Sequence, residues 1–278
     1  MRIFEAIIFG QNSLKNIKRN RVEVEKFIMK IIKKDRLFLI LNQNYTLSEN
    51  EISKYKEFIF RRKNREPLEY ILNMVSFYSE EFFIKGGALI PRPETELLIN
   101  KALDILSKLK SPKVLEIGIG SGVISTILAK NIDNILIVAV DISLEALDIA
   151  KTNIQAFEVM DKIELRESDL FENIRKDEHF DLIISNPPYI SDNENGRLQK
   201  ELDYEPNIAL YGGDIGDEIL KKIIKFFFLS KTKYLLCEMG YDQKEKITNF
   251  VENKAILEFY KDLSELDRGF ILTKFNWD

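Results

Sequence analysis

From about residue 112 onward, short apolar runs alternate with helical patterns, and that alternation leaves few folds open to the chain. KVLEI (113–117), ILIVAV (135–140), KIELR (162–166), FDLIIS (180–185) and KYLLCE (233–238) read as strands. Helical segments near 122–131, after the plausible N-cap Ser143, near 214–229 and near 241–253 fall between or after them. Two last strands, near 255–261 and 269–275, close the series. Parallel strands need long crossovers, and helices supply them. The pattern therefore predicts a mainly parallel sheet with helices on both faces, which binds ligands at the carboxyl ends of its strands.

The front of the chain differs. Residues 1–73 contain no proline before Pro67 and carry apolar residues at three and four spacings, as in Val24, Phe27, Ile28, Ile31 and Ile32. They read as a small all-α domain, with Ser48-Glu49-Asn50-Glu51 as a capping box. Residues 74–92 change to aromatic and β-branched residues around Gly86-Gly87, which suggests a short hairpin or extended linker. Pro93-Glu94-Thr95-Glu96 then looks like a helix start, with proline at the first helical position. The expected organisation is a helical domain (1–73), a hairpin linker (74–92) and an α/β domain (93–278).

Charge follows the same division. Residues 1–75 hold 16 Lys and Arg against 9 Asp and Glu, and the rest of the chain holds 25 against 36. A basic recognition module beside an acidic body would give this split, and so would ordinary solvated helix faces. With 45% hydrophobic and 31% charged residues, the chain has a globular composition. It has no apolar run long enough for a membrane span and no recognisable signal peptide. The single cysteine, Cys237, excludes an intramolecular disulfide and a cysteine zinc site, and a cytoplasmic location is expected. The only histidine, His179, reads as a surface turn residue, so neither a His-rich metal site nor a Ser-His-Asp hydrolase is expected.

Glu116-Ile117-Gly118-Ile119-Gly120-Ser121-Gly122 joins the first sheet strand to a helix. Its glycines permit a tight turn and close approach of a ligand. Asp141 ends the next strand, 19 residues after Gly122, where a carboxylate can accept from two ribose hydroxyls. A dinucleotide fingerprint needs GxGxxG, but here Val123 holds the third glycine's place. Glu116 would repel a pyrophosphate and suits a ligand bearing an ammonium and a sulfonium. The charge logic thus favours S-adenosyl-L-methionine over NAD. Ser168-Asp169-Leu170-Phe171 follows the third strand. Asp169 and Leu170 could edge and pack an adenine, or the four residues could form a plain turn.

Asn186-Pro187-Pro188-Tyr189 ends the fourth strand and carries the sharpest signal. Two prolines fix the backbone and remove two N–H donors. Free carbonyls and the Asn186 side-chain oxygen can then hold an NH₂ group by both hydrogens, and Tyr189 can stack on a planar group. Such a cluster suits methylation of an amide or amine nitrogen, in which positioning and fixed dipoles do much of the work.

Gly118–Gly122, Asp141 and Asn186–Tyr189 together resemble the class I methyltransferases of the amino-nitrogen type, whose domain is Rossmann-like and seven-stranded. Further segments resemble the release-factor glutamine N(5)-methyltransferases, the HemK-like family. They are Glu66-Pro67-Leu68-Glu69-Tyr70-Ile71, Leu89-Ile90-Pro91-Arg92-Pro93-Glu94-Thr95-Glu96, Glu205-Pro206, Ala209–Gly213, Glu238-Met239-Gly240 and Asp267-Arg268-Gly269. The resemblance implies a substrate, the glutamine of the Gly-Gly-Gln motif of peptide chain release factors. It implies that Asn186 and Pro187, with Pro188 and Tyr189, hold that glutamine and that Arg92 lines the entry. It places the cofactor against Glu116, Gly118, Ile119, Gly120, Ser121, Gly122, Asp141, Asp169, Leu170 and Asn186. Ile119 departs from the family's usual small residue and could crowd the methionine end of the cofactor. Leu170 stands where an aromatic is sometimes found, and Asp214-Ile215-Gly216 replaces a more glycine-rich pattern. The expected protein is a monomer that requires no membrane, metal or nucleic acid. A sister enzyme acting on a ribosomal-protein glutamine, and a nucleic-acid amino-methyltransferase, are the rival readings.

Overall fold

A computed structural model of the chain describes residues 1–194, 196 and 199–275. Its residues fall into two compact units, Met1–Met74 with Lys200–Tyr204, and Val75–Gln199 with Glu205–Asp278.

The first unit contains α1 (Ile3–Ser13), α2 (Asn20–Ile32), α3 (Arg36–Leu41), α4 (Glu49–Lys63) and α5 (Leu68–Leu72). The apolar spacing read from the sequence becomes a core in which Ile3, Val24, Phe27, Ile28 and Tyr55 are almost wholly buried. The buried Tyr55 hydroxyl donates to the Ala6 carbonyl at 2.6 Å. A Cβ at Gly10 would collide with that hydroxyl and with Val24, so glycine lets α1 approach α2 and α4. Ser48 opens α4 with a complete capping box, its amide donating to Glu51 at 2.7 Å. The short segment Lys200–Tyr204 is held to α4. The buried Arg62 pairs with Glu23 at 2.7 Å and Glu201 at 3.1 Å, and the Tyr204 hydroxyl donates to the Asn64 carbonyl at 2.8 Å.

The second unit opens with a hairpin, β1 (Val75–Phe77) and β2 (Glu80–Phe82). The chain reverses at Tyr78-Ser79, not at the Gly86-Gly87 pair. Both turn residues have positive φ, 53° and 60°, as a two-residue hairpin turn requires. Tyr78 offsets this strain with two bonds to the next helix, its amide to Glu96 and its hydroxyl to Asn100, both at 2.7 Å.

The sheet unit continues with α6 (Thr95–Leu106), β3 (Lys113–Ile117), α7 (Val123–Asn131), β4 (Leu136–Asp141), α8 (Leu144–Ala156), β5 (Ile163–Glu167) and β6 (Leu182–Ser185). It ends with α9 (Asn207–Leu210), α10 (Glu218–Leu229), β7 (Tyr234–Glu238), α11 (Lys244–Val251), β8 (Ile256–Lys261) and β9 (Asp267–Thr273). The seven strands lie in the order β5-β4-β3-β6-β7-β9-β8. The first five run parallel, while β9 is antiparallel to β7 and β8. This is the Rossmann-like α/β architecture, with a small helical unit preceding it. Both faces of the parallel strands are covered, which is why β6 is buried along its whole length.

Two helix starts differ from the sequence reading. Pro93 and Glu94 form tight turns, and regular helix begins at Thr95. Gly213–Gly216 form a separate bend, in which Gly216 has φ +81° and the Ile215 amide donates to Glu218. The α10 helix therefore starts at Glu218, four residues late.

Candidate active site

Because β3 has β4 on one side and β6 on the other, the chain leaves it in opposite directions, and a crevice opens at the strands' carboxyl ends. A cleft of about 360 Å³ occupies that position. Its walls include Gly118–Ser121 after β3, Asp141–Ser143 after β4, Ser168–Leu170 after β5 and Ser185–Pro188 after β6.

The loop after β3 is fixed by its neighbours. The amides of Gly118 and Ile119 both donate to the Val140 carbonyl, at 2.9 and 3.0 Å. Gly118, Gly120 and Gly122 have φ of +76°, +55° and +83°. A Cβ added at Gly118 or Gly120 would meet nothing within 4 Å, so these glycines leave open space in the cleft. A Cβ at Gly122 would instead press on Ala150 of α8 at 3.1 Å. Ile119 is buried, although it also touches the cleft. Asp141 binds the loop from the next strand, its Oδ2 accepting from the Gly120 amide at 2.9 Å and its Oδ1 from the Ser143 amide at 3.0 Å. Burial raises the Asp141 pKa, and these backbone donors oppose the rise.

Asn186 and Pro187 line the same cleft. The Asn186 side chain donates through Nδ2 to Thr95 at 3.1 Å. Its Oδ1 and the Pro187 carbonyl accept no hydrogen bond among the described residues. Two acceptors thus stand together at the end of β6.

Four expected residues are not among those that line the cleft. Gly122 packs on α8. Glu116 is 1% exposed and does not line the cleft. Its Oε2 accepts from Ser125 of α7, and its Oε1 has no partner among the described residues. Burial pushes this carboxyl up to about 8. Tyr189 packs against the sheet core, with its hydroxyl donating to Glu238 at 3.3 Å, rather than facing the cleft. Arg92 is bound by Glu205 at 2.5 Å, and the other Glu205 oxygen accepts from the Ile90 amide at 2.9 Å. The sequence reading assigned no role to Thr95, Asn153, Glu205 or Glu238. Thr95, Glu205 and Glu238 stood within the matched segments, but their partners lie 49 to 143 residues away in the chain. Asn153 had no signal beyond being a polar residue on the apolar side of a helix.

Among the described residues no group of His, Cys, Asp and Glu is suited to hold a metal ion, and no helix is long and apolar enough to cross a membrane. His179 is exposed and follows the turn at Lys176-Asp177.

Comparison with known proteins bears on the family and the fold. The methyltransferase small domain model matches residues 94–202, and the PrmC N-terminal domain model matches residues 5–72. A release factor glutamine methyltransferase of Clostridium acetobutylicum is 33% identical, covering 96% of this chain and 97% of its own length. Another, of Dictyoglomus turgidum, is 37% identical and covers 93% of both. Among solved structures, the human METTL16 catalytic domain in complex with MAT2A 3'UTR hairpin 6 aligns with a TM-score of 0.59 at 14% identity, covering 85% of this chain and 86% of that one. The METTL16 N-terminal domain in complex with SAH aligns with a TM-score of 0.51 at 15% identity, covering 90% and 94%. At such identities these structures speak for the fold alone. The two full-length relatives decide the family: this chain belongs to the release factor glutamine methyltransferases.

Proposed function

We propose that the protein transfers a methyl group from S-adenosyl-L-methionine to the side-chain amide nitrogen of the Gly-Gly-Gln glutamine in peptide chain release factors. The observation that carries this reading is that Asn186 and Pro187, whose side-chain Oδ1 and carbonyl accept no hydrogen bond among the described residues, line the same cleft as the glycine loop.

The cleft suits the cofactor. Its walls combine a backbone left bare at Gly118 and Gly120, a carboxylate at Asp141 fit to accept from ribose hydroxyls, and apolar surface at Ile142 and Leu170. When bound, the cofactor supplies an electrophilic methyl group on a sulfonium. The remaining work falls to the chain. An amide nitrogen is a weak nucleophile because its lone pair is delocalised into the carbonyl. Asn186 Oδ1 and the Pro187 carbonyl would each accept one N–H of the target amide, orient the nitrogen, and stabilise the positive charge it gains. Acceptors fixed by a strand end and two prolines need little reorganisation. No strong base is required at the outset, since the proton can leave after transfer. The helical unit, with its excess of basic residues, is assigned to gripping the protein substrate.

The reading is tested with labelled S-adenosyl-L-methionine and a purified release factor, beside the same factor with its Gly-Gly-Gln glutamine replaced. Label on the first alone is expected. Label on neither, or equally on both, overturns the assignment of the acceptor.

A further inference from the structure

We infer that Thr95 and Glu238 are positioning residues for Asn186, fixing which end of its side-chain amide faces the cleft. The inference rests on the proposed role of Asn186 as acceptor for the target amide.

Thr95 is the first residue of α6, and Glu238 is the last residue of β7. Each is 1% exposed. The Thr95 hydroxyl donates to Glu238 Oε2 at 2.8 Å and accepts from Asn186 Nδ2 at 3.1 Å. The other carboxylate oxygen, Oε1, accepts from the Tyr189 hydroxyl at 3.3 Å. A file of hydrogen bonds thus runs from β7 through α6 to the segment after β6.

The direction of that file follows from counting protons. An ionised carboxylate only accepts, and a threonine hydroxyl has one hydrogen. Above about pH 7, where Glu238 is ionised, Thr95 must give that hydrogen to Glu238, which leaves only lone pairs for Asn186. Asn186 can satisfy them only with its NH₂ end, so Oδ1 is forced to the opposite end. An unconstrained Asn side chain has two orientations of similar shape. The wrong one would set an NH₂ group against the NH₂ of the target amide, donor against donor. The Glu238–Thr95 pair excludes that orientation.

Burying a carboxylate for this purpose is costly. Desolvation raises Glu238 to about 7, opposed by Thr95, Arg268 and Tyr189 and reinforced by Glu94. Tyr260 of β8 also feels its charge. A site that needed only packing would be served by an apolar residue here, because a buried charge is retained at a net cost.

The test compares Thr95→Val, Thr95→Ser and Glu238→Gln with the native protein, well above pH 7. Three quantities are measured for each: kcat and KM for the release factor, cofactor affinity by calorimetry, and hydrogen exchange of the Asn186 side-chain NH₂ in asparagine-labelled protein, assigned from an Asn186→Asp control. Thr95→Val is isosteric but cannot accept, and it is expected to lower kcat by about tenfold or more. Cofactor affinity should stay within about twofold and protection of the Asn186 NH₂ should be lost. Glu238→Gln should act in the same direction, and Thr95→Ser should recover most of both kcat and protection. Native-like kcat in Thr95→Val overturns the inference, as does a Thr95→Ser variant as impaired as Thr95→Val. The exchange measurement needs no methyl acceptor. If the native protein methylates no release factor, the functional reading fails, and the positioning of Asn186 is still decided by whether its NH₂ protection depends on Thr95.

Discussion

Asp141 Oδ2 accepts from the Gly120 amide at 2.9 Å, so the acid ending β4 and the glycine loop after β3 hold one another in place. The same carboxylate faces the cleft. Replacing it with alanine removes a charged acceptor from both the loop and the ribose position. Asp141→Ala is therefore expected to weaken cofactor binding by about 10- to 100-fold, the scale of hydrogen bonds to a charged group. Isothermal calorimetry with S-adenosyl-L-methionine checks this, and an unchanged Kd contradicts it.

The glycines of the loop separate binding from stability. All three hold left-handed backbone, so each alanine substitution carries a similar strain of about 1–2 kcal/mol. Only at Gly122 does the new methyl also meet a neighbour, Ala150 of α8. Gly118→Ala should therefore impair cofactor affinity more than stability, while Gly122→Ala should lose the more stability of the two. Urea unfolding beside cofactor titration gives the order, and a reversed order refutes the assignment.

Asn186→Ala removes one of the two acceptors at the end of β6 but leaves the glycine loop and Asp141 intact. Methyl transfer is expected to fall by about 100-fold or more, the usual cost of losing one preorganised polar contact to developing charge. Cofactor affinity should change little. Near-normal turnover would remove Asn186 from the reaction.

Glu116 gives the ligand-free protein a pH-dependent stability. Its carboxyl is raised by burial from 4.5 to about 8, so between those values the folded state holds a proton that the unfolded state has lost. Stability is then full below about pH 4.5 and is lost as pH rises through about 8. Glu238, raised to about 7, acts in the same sense. Glu116→Gln should flatten part of this slope, gaining on the native protein by a few kcal/mol between the two limits. Parallel slopes for the two proteins in urea unfolding would show that Glu116 is ionised in the fold.

Asn153 is buried in α8, and its one amide serves three backbone groups. Nδ2 donates to Phe83 and Ser121 carbonyls at 2.9 and 2.8 Å, and Oδ1 accepts from the Phe83 amide at 2.8 Å. Asn153→Ala strands these groups and is expected to cost about 2–4 kcal/mol in unfolding free energy. A loss below about 0.5 kcal/mol, the range of ordinary surface changes, would count against the role.

Local signals carried much of this molecule. Strand–helix alternation, the Ser48 capping box, the glycine loop and the Asn186–Tyr189 segment are each written in consecutive residues, and the backbone follows where side-chain period, missing amides and glycine freedom direct it. The helix starts at Thr95 and Glu218 were less legible, because the turn at Pro93-Glu94 and the bend at Gly213–Gly216 use the residues that also begin helices. The hairpin reversal was hidden for a related reason. Tyr78-Ser79 adopts positive φ with no glycine, compensated by Glu96 and Asn100 on a helix still to come.

By itself, then, the sequence determined the architecture, the cleft-lining loops and the chemical character of the acceptor. Tertiary structure alone decided which way the side chains face. Tyr189 turns to Glu238 instead of the cleft, Arg92 is taken by Glu205, and Asn186 is oriented by Thr95. Each of these choices depends on a partner at least 49 residues distant. Hydrogen-bond direction is set by whichever donors and acceptors the fold brings within about 3 Å, and no stretch of neighbouring residues records that.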